Sequence, residues 1–145
     1  MVKLVRPNID IAIRCSHFEE SLRFYHDILG LEIVADVQVP TEVATRFGVA
    51  PRGFRQVRLR AGDALIKLME IESPPPSPTE EFAAGVGWLT FFVADMAATY
   101  RELRERGARF LSEPGPVDGV VGGEPVAGAA CAVDPDGLLI EFVQL

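Results

Sequence analysis

Cysteine is scarce in this chain. Only Cys15 and Cys131 occur in 145 residues, and neither stands in a CxxC or Cys/His spacing. The pair reads as two buried free thiols in a cytoplasmic protein. Positive charge is also in short supply: 14 Lys and Arg face 21 Asp and Glu, for a net charge of −7 and a pI near 4.8. That balance disfavours nucleic acid or an anionic membrane surface as a partner. No apolar run approaches the ~20 residues that span a bilayer. The opening "MVKLVRPNID" has no hydrophobic core segment and is not a signal peptide. What is present is core material: 48% hydrophobic residues and a mean hydropathy of +0.19 describe a globular chain. At 145 residues it is long enough for one domain, or two small modules sharing a core.

The pattern is written twice. "NIDIAIRC" (8–15) alternates as a strand, with Ile9, Ile11 and Ile13 facing one way and Asp10, Ala12 and Arg14 the other. Ser16 and Glu19 have capping-box spacing, which predicts a helix with a stripe of Phe18, Leu22, Tyr25 and Leu29 and a stop at Gly30. "LEIVADVQV" (31–39), "FRQVRLR" and "ALIKLMEI" are strands, the last two joined around Gly62-Asp63. A proline-rich linker, 73–84, then separates a first module (6–72) from a second (85–145). The second module repeats the order: strand "GWLTFFVA", a helix capped by Asp95 and ending at Gly107, strand "ARFLSE", and strands "EPVAGAACAV" and "GLLIEFVQ" around "DPDG". Both modules read β-α-β-β-β, an α+β fold. Superposing them puts Asp10 on Trp88, Ser16-His17 on Ala94-Asp95 and Lys67 on Glu141.

"SLRFYHDILGLEIV" (21–34), "GWLTFFVADM" (87–96) and "DPDGLLIEFVQ" (134–144), taken with the module order, resemble the vicinal-oxygen-chelate superfamily, the glyoxalase/bleomycin-resistance/dioxygenase group. The resemblance covers nearly the whole chain. It implies two βαβββ modules forming a curved, partly closed mixed sheet around a cavity, within a single glyoxalase-like domain over 1–145, and a homodimer. Metal-using members of that group place a ligand on the first and last strand of each module, usually His, Gln or Glu. The matching positions here are Asp10, Lys67, Trp88 and Glu141. An ammonium has no lone pair to give and an indole ring is no ligand. His17 and His26 fall by the helix, away from the strand positions. No metal and no other cofactor is therefore expected, and the extradiol dioxygenase and metal-dependent glyoxalase readings are set aside.

A charge in the middle of the apolar strand "LIKLME" needs a partner, because an unpaired buried ion costs several kcal/mol. The expected arrangement is a carboxylate–ammonium–carboxylate cluster of Asp10, Lys67 and Glu141 in the metal's place. A purely structural ion cluster is the competing reading. Alternation makes Arg14, Thr90 and Phe92, with Trp88, candidates to line the cavity, and Leu65 and Met69 flank Lys67. The side taken by Arg58 depends on hairpin register. A two-residue loop sets it opposite Lys67, a three-residue loop sets Val57 there, and the cost of a second buried cation favours a solvated Arg58. Segments 40–53 and 112–127 are long Gly/Pro-containing stretches, expected to overhang the cavity mouth as lids. Two functions fit: a metal-independent lyase or isomerase with Lys67 supplying the metal's charge, or a non-catalytic trap for a small antibiotic-type molecule.

Overall fold

The structure, a computed structural model, describes residues 3–71, 85–117, 120–121 and 124–145. The linker 73–84 lies outside the described residues. Contacts divide the chain into two compact units, Met1–Pro75 and Pro76–Leu145.

The first unit opens with β1 (Ile11–Arg14) and α1 (Phe18–Leu22), which continues as a π-helical turn over Arg23–Ile28. Then come β2 (Glu32–Val39), α2 (Thr41–Arg46), β3 (Phe54–Ala61) and β4 (Ala64–Glu70). The four strands form one mixed sheet in the order β1-β4-β3-β2, with β1 parallel to β4. The second unit has β5 (Trp88–Phe92), α3 (Met96–Glu105), β6 (Arg109–Phe110), a short pair β7 (Val120–Val121) and β8 (Glu124–Pro125), β9 (Gly128–Val133) and β10 (Leu139–Gln144). Its main sheet runs β5-β10-β9-β6, again with the first strand parallel to the last. Each sheet has the same strand order and is open. The internal repeat is thus a repeat of topology, and the fold is α+β as its sequence indicates.

Each sheet buries one face under its helix. In the first unit α1 lies against β4, and Ile66, Leu68, Val57 and Leu59 are buried together with Phe18, Phe24, Tyr25 and Ile28. In the second, Tyr100, Phe110, Phe142 and Phe91 form a chain of ring contacts with centroids 4.7–5.9 Å apart. Asp95 caps α3 by accepting from the Ala98 N–H at 2.8 Å. Among the described residues no helix is long and apolar enough to cross a membrane.

Five local expectations need correction. The first helix begins at Phe18 with His17, not Ser16, at its N-cap, which matches the place of Asp95 in the second unit. The buried stripe runs through Phe18, Phe24, Tyr25 and Ile28, leaving Leu22 and Leu29 half-buried. A bond from the Leu29 N–H to the Phe24 carbonyl, five residues back, re-phases the last turn. The strand read from Glu124 onward is two elements, β8 and β9, and Cys131 is half-buried, whereas Cys15 is buried. Segment 40–53 is anything but a loose overhang. It carries α2, whose Ala44 packs with Ala50, Phe54 and Met69 in a small buried cluster. Gly53 makes that packing possible, since a Cβ there would meet the Val39 carbonyl oxygen at 2.7 Å.

Candidate functional site

The two-residue turn at Gly62-Asp63 pairs Ala61 with Ala64 and sets the register of the hairpin behind it. Gly62 takes φ +60, as a tight hairpin turn of this length requires. Arg58 then stands directly opposite Lys67, and Gln56 opposite Met69. The expectation of a solvated Arg58 is thereby overturned: Arg58 is half-buried, Gln56 is buried, and the Arg58 Nε–H donates to Gln56 Oε1 at 2.9 Å. A neutral amide partner lowers the cost of holding the second cation there.

Pairing across the sheet puts Asp10, Ala12 and Arg14 on the face shared by Leu65, Lys67 and Met69. Asp10 precedes β1 and is tied to β4 twice. Its Oδ1 accepts from the Leu65 N–H at 3.0 Å, and its Oδ2 lies 2.9 Å from Lys67 Nζ. The two side chains are 31% and 27% exposed, so the pair is neither dry nor fully solvated. Arg14 and Leu65 sit at the exposed and half-buried ends of this face. Met69 is only 5% exposed and fills the space beneath α2.

The Lys67 hydrogen bond, seconded by the Leu65 N–H, holds the Asp10 carboxyl below the usual carboxylate range against the opposing effect of desolvation. Asp36 is lowered in the same way by Arg55, whose Nη2 is 2.8 Å from its Oδ2. Both carboxylates have folded pKa values below their unfolded value of ~3.9, so both bind protons more weakly in the folded state. Their stabilising contribution is present above that pH and lost as pH falls through the folded values. The melting temperature is expected to drop below about pH 4, and Asp10→Asn to make that acid limb shallower, as thermal scans across the acid range would show.

The second unit carries the other half of the expected set. Glu141 on β10 pairs with Thr90 on β5 and with Cys131 on β9. Its Oε2 accepts the Thr90 hydroxyl at 2.6 Å. Burial first, and then the Glu141 charge, pushes the Cys131 thiol up, which keeps it protonated and unreactive. Trp88 and Phe92, two residues to either side of Thr90, are both 58% exposed. In each unit the charged residue of the last strand stands opposite a residue of the parallel first strand, Ala12 for Lys67 and Thr90 for Glu141, and each of those lies two places beyond Asp10 or Trp88. Lys67 and Glu141 are therefore true equivalents in the repeat, as are Arg58 and Cys131.

The donor set does not fit a divalent ion. Of Asp10, Lys67, Trp88 and Glu141, the lysine and tryptophan offer no lone pair suited to a metal. The Asp10 carboxylate is already committed to the ammonium and to a backbone N–H. Among the described residues no three His, Cys, Asp or Glu side chains gather as a metal-binding group.

The sequence model of the Glyoxalase/Bleomycin resistance protein/Dioxygenase superfamily matches residues 9–142. A probable lactoylglutathione lyase of Synechocystis sp. (strain ATCC 27184 / PCC 6803 / Kazusa) is 28% identical over 132 residues, covering 91% of this chain and 90% of that protein. The lactoylglutathione lyase of Haemophilus influenzae (strain ATCC 51907 / DSM 11121 / KW20 / Rd) is 28% identical over 134 residues, covering 91% and 87%. Among solved structures, that of SMU.1112c superposes with a TM-score of 0.72 at 23% identity, covering 97% of this chain and 99% of that one. The glyoxalase family protein of Bacillus cereus gives 0.69 at 19% identity, covering 99% and 95%. These two likenesses bear on the fold alone.

Proposed function

The chain belongs to the Glyoxalase/Bleomycin resistance protein/Dioxygenase superfamily, and from that premise we propose that it binds a small organic molecule and acts on it as a lyase or isomerase without a metal ion. The observation that carries this reading is the Asp10–Lys67 pair at 2.9 Å. It puts a fixed positive charge at a position where metal-using relatives would offer a ligand.

In this reading Lys67 stabilises the negative oxygen that develops when a proton leaves the carbon beside a carbonyl group, the task usually given to a Lewis acid. Asp10 is unsuited to take that proton. It is held ionised by two hydrogen bonds and is a weak base for the same reason. Its part is to position the ammonium. For the proton, which must be taken up and returned in an isomerisation, the carboxylate we assign is Glu141 of the second unit, oriented by the Thr90 hydroxyl through its 2.6 Å bond. Trp88 and Phe92, in the same unit as Glu141, present exposed aromatic surface suited to an apolar ligand.

Lactoylglutathione, named in the two lyases above, is the compound to assay first, with chelator-treated protein. Product formed without added metal supports the proposal. A ligand-induced rise in melting temperature with no product formed would instead favour the trap, because binding stabilises a fold whether or not chemistry follows.

A further inference from the structure

The face around Lys67 holds more positive charge than its acid can balance. Across the sheet from β1 to β2 the central row reads Ala12, Lys67, Arg58, Ala35. Directly opposed residues of an antiparallel pair have Cβ atoms ~5 Å apart, and like charges placed so repel. Asp10 serves Lys67, whereas the hydrogen bond of Arg58 goes to the neutral Gln56. Among the described residues Arg58 has no carboxylate partner. Arg14, one row away beside Met69, adds a further cation to the same face.

The surroundings of this row suit an occupant. Across the sheet the two cations are flanked by the small residues Ala12 and Ala35. Gln56 is buried opposite Met69, which is packed beneath α2. That anchor takes the guanidinium by its Nε–H, and the Nη hydrogens are the donors a carboxylate would use.

We infer that Arg58 is the specificity-determining residue of this site and that the molecule bound there is an organic carboxylate, its carboxyl group on Arg58 and its reacting end toward Lys67. The inference rests on the functional reading above and narrows it. A neutral ketone or alcohol would leave two opposed cations with one acid between them, and the carboxylate supplies the missing charge.

The test is NMR titration of the full chain with pyruvate, pyruvamide and inorganic phosphate, observing the Arg58 Nε–H. Pyruvate is expected to shift that resonance saturably and to bind about ten- to a hundred-fold more tightly than its uncharged amide, the worth of a charged hydrogen bond. Arg58→Gln should erase the preference for pyruvate while the amide spectrum stays that of the folded protein. Arg58→Lys, which keeps the charge and loses the fork, should retain the preference with weaker binding. Equal binding of pyruvate and pyruvamide, no saturable shift with pyruvate, or phosphate binding in place of pyruvate would overturn the inference. So would a preference that survives Arg58→Gln. If that variant is unchanged while Lys67→Met loses binding, the carboxylate assignment fails and the wider reading stands. If neither change matters, both fail.

Discussion

Lys67→Met is expected to lower turnover by about 10²–10³-fold, the usual cost of removing one donor to a developing oxyanion. Methionine fills a similar volume without charge, so the site keeps its shape and loses only the ammonium. Asp10 would be left with the Leu65 N–H as its partner, but its side chain is 31% exposed and water can take the vacated place. Stability should therefore move by less than about 1 kcal/mol, as for other partly solvated ion pairs. Steady-state kinetics and a urea melt on the same preparation separate the two effects. Unchanged turnover in a folded Lys67→Met protein would remove the ammonium from the chemistry.

Leu68→Ala, one residue along the same strand, should do the opposite. Leu68 is fully buried on the helix side of the sheet, in register with Ile13 on β1 and Val57 on β3. Removing its side chain forfeits burial and leaves a cavity in a packed layer, for a cost of about 2–5 kcal/mol. In a domain whose whole stability is on the order of 5–15 kcal/mol, that is a large fraction. Urea denaturation measures it directly, and the residual folded protein should retain its turnover. A cost under ~1 kcal/mol would mean that the two faces of β4 have been assigned the wrong way round. The contrast between neighbouring residues is the sheet's period of two expressed as phenotype.

That alternation is also why so much of the molecule is legible in its sequence. The strand cores, the Asp95 cap, the stops at Gly30 and Gly107 and the equivalence of Lys67 with Glu141 all follow from periodicity and turn chemistry, and the structure bears them out. What escaped depends on packing between distant segments. Charge cost alone argued for a solvated Arg58, yet the two-residue turn at Gly62-Asp63 decided the register and Gln56 absorbed part of the cost. The plain hairpin signal was the better guide there. The stretch 40–53 reads as a loop because its glycines and prolines dominate a single-sequence reading. Its Ala44 finds Phe54 and Met69 only once the sheet has formed. The π-helical turn over Arg23–Ile28 likewise has no local signature, and it moved the stripe by one position at Phe24 and Ile28. Of the expected charge cluster, the geometry of the first unit joins Asp10 to Lys67, and that of the second joins Thr90 to Glu141.

In the proposed mechanism Lys67 performs the office of a metal ion. Its most direct test is turnover of lactoylglutathione by chelator-treated protein, measured with and without added Zn²⁺, Ni²⁺ and Mn²⁺. The same rate is expected in every case. A rate that appears only when one of these ions is restored, and disappears again in Asp10→Asn or Glu141→Gln, would contradict it.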